Sequence, residues 1–204
     1  MPRWMEYALL GYLSGSVLFA RVVLRFFGKE NAIESSSDGN PGASNAFSAG
    51  FDCGLLTLIG DIAKGFLPVY LYLRGSAGLP AAEPHLALVL AAPVIGHAFP
   101  IFYHFKGGKG IAVSFGCLLG LLPMWQPVML LAASFLTFSL ILRITPNFYR
   151  TAVTYPCALL LMYITRQSPR VTLGFLLITS VVCLRLHLSS EIREQMETKW
   201  IWMH

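Results

Sequence analysis

A glycine- and asparagine-rich segment that directly precedes a long apolar run has residue types that suit anion binding. It reads Asp38-Gly39-Asn40-Pro41-Gly42-Ala43-Ser44-Asn45. Glycines let backbone amides converge, and the first turn of a following helix offers N–H groups that lack intrahelical partners. The same composition is also common in ordinary turns. The segment therefore predicts either an anion-binding loop or a turn.

A second segment combines closely spaced glycines with lysine. It reads Lys106-Gly107-Gly108-Lys109-Gly110, and Gly96-His97 precedes it. The glycines let a ligand approach the backbone closely, and Lys109 adds a mobile positive charge, which together suit a phosphate. The Gly-x-x-x-x-Gly-Lys-Ser/Thr pattern of P-loops is absent, so nucleotide hydrolysis is not predicted. The alternative is a basic turn at the cytoplasmic end of a membrane helix.

Ionisable residues inside or beside apolar runs are the next candidates. Asp61 and Lys64 lie on one face of a helix, and we expect them to form a structural ion pair. His97 is either a hydrogen-bond partner between helices or a catalytic residue beside the Lys109 segment. His187 ends the last apolar run, and we expect it to reach the same cavity.

These segments belong to a chain that is too apolar for a soluble domain. Of its 204 residues, 55% are hydrophobic and 12% are charged, whereas soluble domains carry about 25% charged residues. A bilayer covers apolar surface, and about 20 mostly apolar residues span it. We therefore predict an all-α integral membrane protein, with residues 1–204 as a single domain and about seven transmembrane helices. The predicted spans are 6–27, 52–73, 85–104, 110–122, 124–142, 152–165 and 171–187, of which the fourth and sixth are short.

The distribution of lysine and arginine predicts the orientation of these helices. With the amino terminus outside, ten of these residues fall in inside segments and four in outside segments, while Lys64 lies within a span. This excess places the carboxyl terminus and both glycine-rich segments in the cytoplasm. The net charge of +5 is spread over the loops, so we attribute it to topology and anionic lipid and expect no nucleic-acid binding. The four cysteines show no metal-ligand spacing.

Three segments together resemble the acyl-phosphate-dependent glycerol-3-phosphate acyltransferases of bacteria. They are Gly15-Ser16-Val17, then residues 39–45 followed by Asp61 and Lys64-Gly65, and finally Gly96-His97-Ala98-Phe99-Pro100 with Phe105-Lys106-Gly107-Gly108-Lys109-Gly110. The last segment is the most specific match. Order and spacing agree over residues 11–116, and the resemblance implies a seven-helix membrane enzyme with an external amino terminus and a cytoplasmic active site.

The resemblance also implies roles for particular residues. Lys109 would stabilise the charge of a phosphate, and His97 or His187 would orient that phosphate, so we expect these residues to be catalytic. The expected substrate-binding residues are Asp38, Gly39, Asn40, Gly42, Ser44, Asn45, Ser48, Lys106, Gly107, Gly108 and Gly110.

Two of these positions depart from the family pattern. Asp38 stands where the family has serine, and Ser48 stands where it has arginine. Both family residues help to hold the phosphate of the acceptor, so the changes predict weaker phosphate binding, because a charge-assisted hydrogen bond contributes roughly 1.5–3 kcal/mol. Arg143 and Arg150 are the candidates to supply the missing positive charge.

The implied reaction is transfer of an acyl group from acyl phosphate to glycerol 3-phosphate, which gives lysophosphatidic acid and phosphate. The donor is already activated, so we expect no covalent enzyme intermediate, no cofactor and no metal. The expected partners are acyl phosphate, glycerol 3-phosphate or a similar small acceptor, and membrane lipids, and we expect a monomer in the bacterial inner membrane. Two alternatives stay open: a diverged paralogue that uses another acceptor, and a non-catalytic lipid-binding protein.

Overall fold

A computed structural model of the protein describes residues 1–36, 39–75, 85–189 and 195–200. Helices form most of it. In chain order they are α1 (Arg3–Gly15), α2 (Phe19–Phe26), α3 (Asn31–Glu34), α4 (Ala43–Ala49), α5 (Phe51–Arg74), α6 (Leu86–Ala98), α7 (Ile111–Leu119), α8 (Gln126–Leu136), α9 (Asn147–Ile164) and α10 (Pro169–His187). A 3₁₀ turn at Ile101–Tyr103 follows α6, and a π-helical segment at Thr137–Ile141 extends α8.

Three helices of the described residues are long and apolar enough to cross a membrane. They are α5, α6 with its 3₁₀ extension, and α10, and the count becomes four if α1 and α2 form one span with a 41° bend. Large side chains of α5, such as Leu56, Ile59 and Leu67, stay exposed, as expected of a helix covered by lipid rather than water. Each of the seven predicted ranges contains a helix, but α7 and α8 are shorter than the length that spans a bilayer.

The first predicted span, 6–27, differs from a single straight helix. α1 ends at Gly15 and α2 begins at Phe19, because Leu18 has an extended backbone with φ −87° and ψ 94°. The carbonyl of Val17 lies in this break, where it accepts a hydrogen bond from Lys64 Nζ at 2.6 Å. The break therefore directs a backbone carbonyl toward a charged side chain inside the bundle.

A small sheet also departs from the predicted all-α fold. β1 (Leu142–Thr145) pairs antiparallel with β2 (Glu197–Trp200), so that Leu142 faces Trp200 and Thr145 faces Glu197. Two of the four β1 residues are β-branched, which favours a strand, and the residue before Pro146 is biased away from helix. The predicted fifth span, 124–142, therefore ends where the sheet begins.

α6 lies at the centre of the bundle, between α1 and α10. Glycines bring α1 and α6 into backbone contact: a Cβ at Gly15 would overlap the carbonyl of Pro93, and one at Gly96 would overlap the carbonyl of Tyr12. Small residues of this kind permit close packing between membrane helices. The contact fixes the position of the carboxyl end of α6, which carries His97.

The amino terminus marks one end of the bundle. Arg3 donates from Nη2 to the carbonyl of Tyr72 at 2.5 Å, close to the end of α5. Trp4 stacks on His85, with ring centroids 4.4 Å apart. Since α5 begins at Phe51, just after α4, which starts within the 39–45 segment, the two ends of α5 separate the amino terminus from this glycine-rich segment.

Candidate active site

The two glycine-rich segments line a common cavity of about 490 Å³, which we term the first cavity. Its polar lining residues are Asn40, Ser44, Asn45, Asp61, His97, Lys109, Asn147, Arg150 and Thr151. Apolar side chains form another part of the wall, and these are Leu58, Ile111, Phe115 and Phe135. The first cavity therefore presents both groups that bind an anion and a surface for an apolar chain.

A second cavity of about 300 Å³ adjoins the first and shares Asn40 and Lys109 with it. Its described lining contains four cationic residues, Arg21, Lys106, Lys109 and Arg185, and no acidic residue. Gly39, Pro41, Gly107, Leu188 and Ser189 complete that lining. Clustered guanidinium and ammonium groups attract anions and make strong hydrogen bonds to phosphate oxygens.

Hydrogen bonds within the first glycine-rich segment hold its shape. Asn45 donates from Nδ2 to the carbonyl of Asn40 at 2.9 Å and to Ser36 Oγ at 3.0 Å. Gly39 has a φ of +56°, a conformation that favours glycine. α4 begins at Ala43, and its N-cap residue Gly42 has no side chain to cap it.

The Gly-Gly-Lys-Gly loop packs against the end of α6. Gly108 N donates to His97 O at 3.0 Å, while Arg185 of α10 donates to Gly107 O from Nε at 3.1 Å and from Nη2 at 2.6 Å. A Cβ at Gly107 would overlap His97 O, and one at Gly108 would overlap His97 Nε2. Glycine is therefore required at both positions, because the backbone and imidazole of His97 occupy the space that a side chain would take. Gly110, with a φ of +80°, leads into α7.

Asp61, Lys64 and His97 form a buried cluster beside the first cavity. Lys64 Nζ lies 2.8 Å from Asp61 Oδ1 and 2.8 Å from His97 Nδ1. The side chains of Asp61 and Lys64 are each 3% exposed. An ammonium has only hydrogens to donate, so His97 Nδ1 is the acceptor and the proton of the neutral imidazole is on Nε2. The ion pair expected from the sequence is present. Its lysine also donates a hydrogen bond to His97, which the sequence spacing did not connect to the pair.

Arg150 brings a further cation to the first cavity from the first turn of α9. It donates from Nη2 to Asn147 Oδ1. Burial lowers the pKa of Arg150 from its usual value, and the charge of Arg143 lowers that pKa further, although an arginine stays charged in proteins. Arg143 itself lies on β1 and lines neither cavity. Of Arg143 and Arg150, Arg150 is therefore the one that lines the first cavity.

Most of the predicted site residues line one of the two cavities. Gly42, Ser44, Asn45, Asp61, His97 and Gly110 line the first, Gly39, Lys106 and Gly107 line the second, and Asn40 and Lys109 line both. Ser48 is exposed on α4, where its Oγ donates to Ser44 O at 3.4 Å. His187 is exposed at the end of α10, and Gly108 is buried against His97. None of these three lines either cavity, and Asp38 lies outside the described residues.

Five polar or charged lining residues had no site role in the sequence interpretation. Asn147 and Thr151 line the first cavity, and Arg21, Arg185 and Ser189 line the second. The two arginines entered only as charges that predict orientation, because charge counting does not separate a cation in a cavity from one at the membrane border. Among the described residues, no group of three or more His, Cys, Asp or Glu side chains is arranged to hold a metal ion.

This chain is similar to known proteins. The family profile described as Glycerol-3-phosphate acyltransferase matches residues 6–197. A glycerol-3-phosphate acyltransferase of Pseudomonas paraeruginosa is 46% identical over 136 residues, which are 65% of this chain and 68% of that protein. This chain belongs to the glycerol-3-phosphate acyltransferase family.

The fold of this acyltransferase is similar to that of PlsY (YgiH), an integral membrane glycerol 3-phosphate acyltransferase. The crystal structure of the glycerol 3-phosphate form has a TM-score of 0.77 and 23% identity, and it covers 90% of this chain and 88% of that one. The lysophosphatidic acid form has a TM-score of 0.73 and 22% identity, over 89% and 87% of the two chains. The two chains share a fold, and the described residues of this acyltransferase include three helices, or four with the bent pair, that are long and apolar enough to cross a membrane.

Proposed function

We propose that this acyltransferase transfers the acyl group of an acyl phosphate to a hydroxyl of glycerol 3-phosphate, forming lysophosphatidic acid and inorganic phosphate for phospholipid synthesis. The observation that carries the proposal is the pair of adjoining cavities that share Asn40 and Lys109. Both substrates carry a phosphate, so Lys109, which lines both cavities, is placed to bind the phosphate of either substrate. The acyl–phosphate bond is already activated, and the reaction therefore needs no cofactor.

The first cavity suits the acyl donor. Its apolar wall, which includes Leu58, Phe115 and Phe135, offers a surface for the start of an acyl chain. Gly110 and Ile111 place the amino end of α7 at the same cavity, and this helix has no capping side chain. Its first-turn amides and positive end of the dipole favour a phosphate there.

The second cavity suits the acceptor. Arg21, Lys106 and Arg185 line it, and its described lining contains no acidic residue that would repel a phosphate. Each charge-assisted hydrogen bond to a phosphate contributes roughly 1.5–3 kcal/mol. These cations therefore offset the loss of the arginine that the family carries at the position of Ser48.

The reaction then proceeds by direct attack. The hydroxyl oxygen of the acceptor bonds to the acyl carbonyl carbon, the bond from that carbon to the phosphate oxygen breaks, and the hydroxyl proton leaves with the released phosphate. Negative charge develops on the leaving phosphate, and a fixed cation such as Lys109 stabilises it. The enzyme contributes mainly position and charge.

We also propose the membrane arrangement: one domain with seven crossings, the amino terminus outside and the site facing the cytoplasm of a bacterial inner membrane, as a monomer. The excess of basic residues at the cavity end supports this orientation. A cysteine at the exposed position Ser44 tests it. Labelling of that cysteine by an impermeant thiol reagent in intact cells would contradict the proposed orientation.

The activity assay uses the purified protein in detergent with acyl phosphate and glycerol 3-phosphate. We expect phosphate release matched by lysophosphatidic acid formation, with little release when the acceptor is omitted. Turnover with a different acceptor alone would favour the diverged paralogue. Binding of acyl phosphate without turnover of any acceptor would favour the lipid-binding protein.

Lys109→Gln provides a sharper form of the same assay. Loss of the shared cation is expected to lower kcat/KM by roughly 10- to 100-fold, since a charged hydrogen bond is worth about 1.5–3 kcal/mol. Lys199→Gln is the matched control, because Lys199 is exposed on β2 and lines neither cavity. Its Nζ lies 3.4 Å from Oε2 of Glu197. Equal activity of the two variants would remove Lys109 from the proposal.

A further inference from the structure

Arg150 is a half-buried cation at the first cavity, and the sequence marked it only as one of two candidates for a missing positive charge. It lies on the first turn of α9, a helix of 18 residues with no capping side chain. Its guanidinium donates from Nη2 to Asn147 Oδ1, and both residues line the first cavity. This contact holds the guanidinium within its own turn of helix while other donors of the fork stay available.

Among the described residues, the charges around Arg150 are unbalanced. No described carboxylate lies within ion-pair distance of it. The acid in the described lining of the first cavity is Asp61, whose Oδ1 lies 2.8 Å from Lys64 Nζ and 3.9 Å from His97 Nδ1. The nearby charge that acts on Arg150 is Arg143, which has the same sign. A partly desolvated cation near a second cation is stabilised when an anion binds to it.

We propose that Arg150 binds the phosphate of the acyl donor in the first cavity. The inference rests on the proposed function, and it adds a substrate-binding residue on α9. The donor is favoured over the acceptor because the cavity that Arg150 lines also has the apolar wall of Leu58, Phe115 and Phe135. Lys109 lines the same cavity, so the donor phosphate lies between a cation from α9 and a cation from the glycine-rich loop.

The alternative cation, Arg143, provides the matched control. It is exposed on β1, where it pairs with Lys199 across the sheet, and it lines neither cavity. Arg143 and Arg150 therefore contribute the same charge to the long-range field of this end of the protein. Of these two arginines, it is Arg150 that lines the first cavity and can touch a ligand there.

The experiment measures KM for acyl phosphate and for glycerol 3-phosphate in the wild type, Arg150→Gln, Arg150→Lys and Arg143→Gln. Arg150→Gln is expected to raise KM for acyl phosphate by roughly 10- to 100-fold while KM for glycerol 3-phosphate changes little. Arg150→Lys keeps the charge but loses the fork, so we expect an intermediate rise. Arg143→Gln is expected to stay within about twofold, as for other exposed charges.

Other outcomes would overturn the assignment. An unchanged KM for acyl phosphate in Arg150→Gln rejects it, as does a rise confined to glycerol 3-phosphate or an equal effect of Arg143→Gln. Lack of turnover in the wild type rejects the proposed function instead, and calorimetric titration with acyl phosphate then tests Arg150 separately. Tighter binding to the wild type than to Arg150→Gln would support the site, and equal binding would reject it. Arg150→Lys guards against misfolding of Arg150→Gln. It keeps the positive charge, so it still shows the intermediate KM for acyl phosphate if Arg150→Gln has lost activity through misfolding alone.

Discussion

Lys64→Met is the substitution that tests the buried cluster most directly. Methionine keeps much of the length of the lysine side chain but removes the ammonium. The Asp61 carboxylate then loses the cation 2.8 Å away, and the carbonyl of Val17 and Nδ1 of His97 lose their donor. The cluster joins α5, α6 and the break between α1 and α2, so the substitution removes polar contacts between these three parts of the bundle.

The size of the effect follows from burial. Both side chains of the ion pair are 3% exposed, so solvent screens neither charge. Removal of one partner of a buried ion pair costs about 3–5 kcal/mol, because the remaining charge is left without compensation. The lost hydrogen bonds are part of the same interaction and are not added to this figure.

The assay is the free energy of unfolding in mixed detergent micelles, compared for the wild type, Lys64→Met and the double variant Asp61→Asn/Lys64→Met. Removing both charges avoids an uncompensated carboxylate, so we expect the double variant to recover at least about 1–2 kcal/mol of the loss. A loss below about 1 kcal/mol in Lys64→Met would refute the reasoning, since that value is typical of an exposed pair. A double variant less stable than Lys64→Met would refute it as well.

Two further substitutions test the loops. Gly108→Ala places a Cβ on His97 Nε2, and the overpacking, about 1–3 kcal/mol, is expected to displace the loop and lower kcat; unchanged kcat would show that the loop tolerates a side chain. Arg185→Gln removes the charge and one of the two donors to Gly107 O. We expect KM for glycerol 3-phosphate to rise roughly tenfold. A rise only in KM for acyl phosphate would mean that the donor binds in the second cavity and the acceptor in the first.

The sequence predicts the long uninterrupted helices because their signal is local. A run of about 20 apolar residues identifies a membrane helix without knowledge of its neighbours, and the predicted range 171–187 matches α10 at Pro169–His187 closely. The bend at Leu18 and the pairing of β1 with β2 are different, since they depend on contacts with distant residues. Val17 is opposite Lys64 only after α1, α2 and α5 have packed.

The same distinction applies to the site. The loop at 106–110 is recognisable from the sequence because residues 107 and 108 have to be glycine. The backbone and ring of His97 occupy the space that a side chain at either position would need. No such local requirement distinguishes Arg150 or Arg185. An arginine at the end of an apolar run satisfies the positive-inside rule whether it faces lipid headgroups or a cavity, and the cavity is visible only once α9 and α10 are placed beside the loops.

His97 shows how geometry narrows the role of a residue that the sequence singles out. The resemblance gives it a catalytic role beside Lys109, and a histidine in such a place often acts as a general base. Here Nδ1 already accepts a hydrogen bond from the buried Lys64 ammonium at 2.8 Å, so the neutral ring carries its proton on Nε2. Neither nitrogen is then free to accept the proton of an attacking hydroxyl. His97 is therefore better suited to donate a hydrogen bond at the first cavity and to support the loop through Gly108. With His97 in that role, the proton acceptor that we propose is the phosphate that leaves the donor.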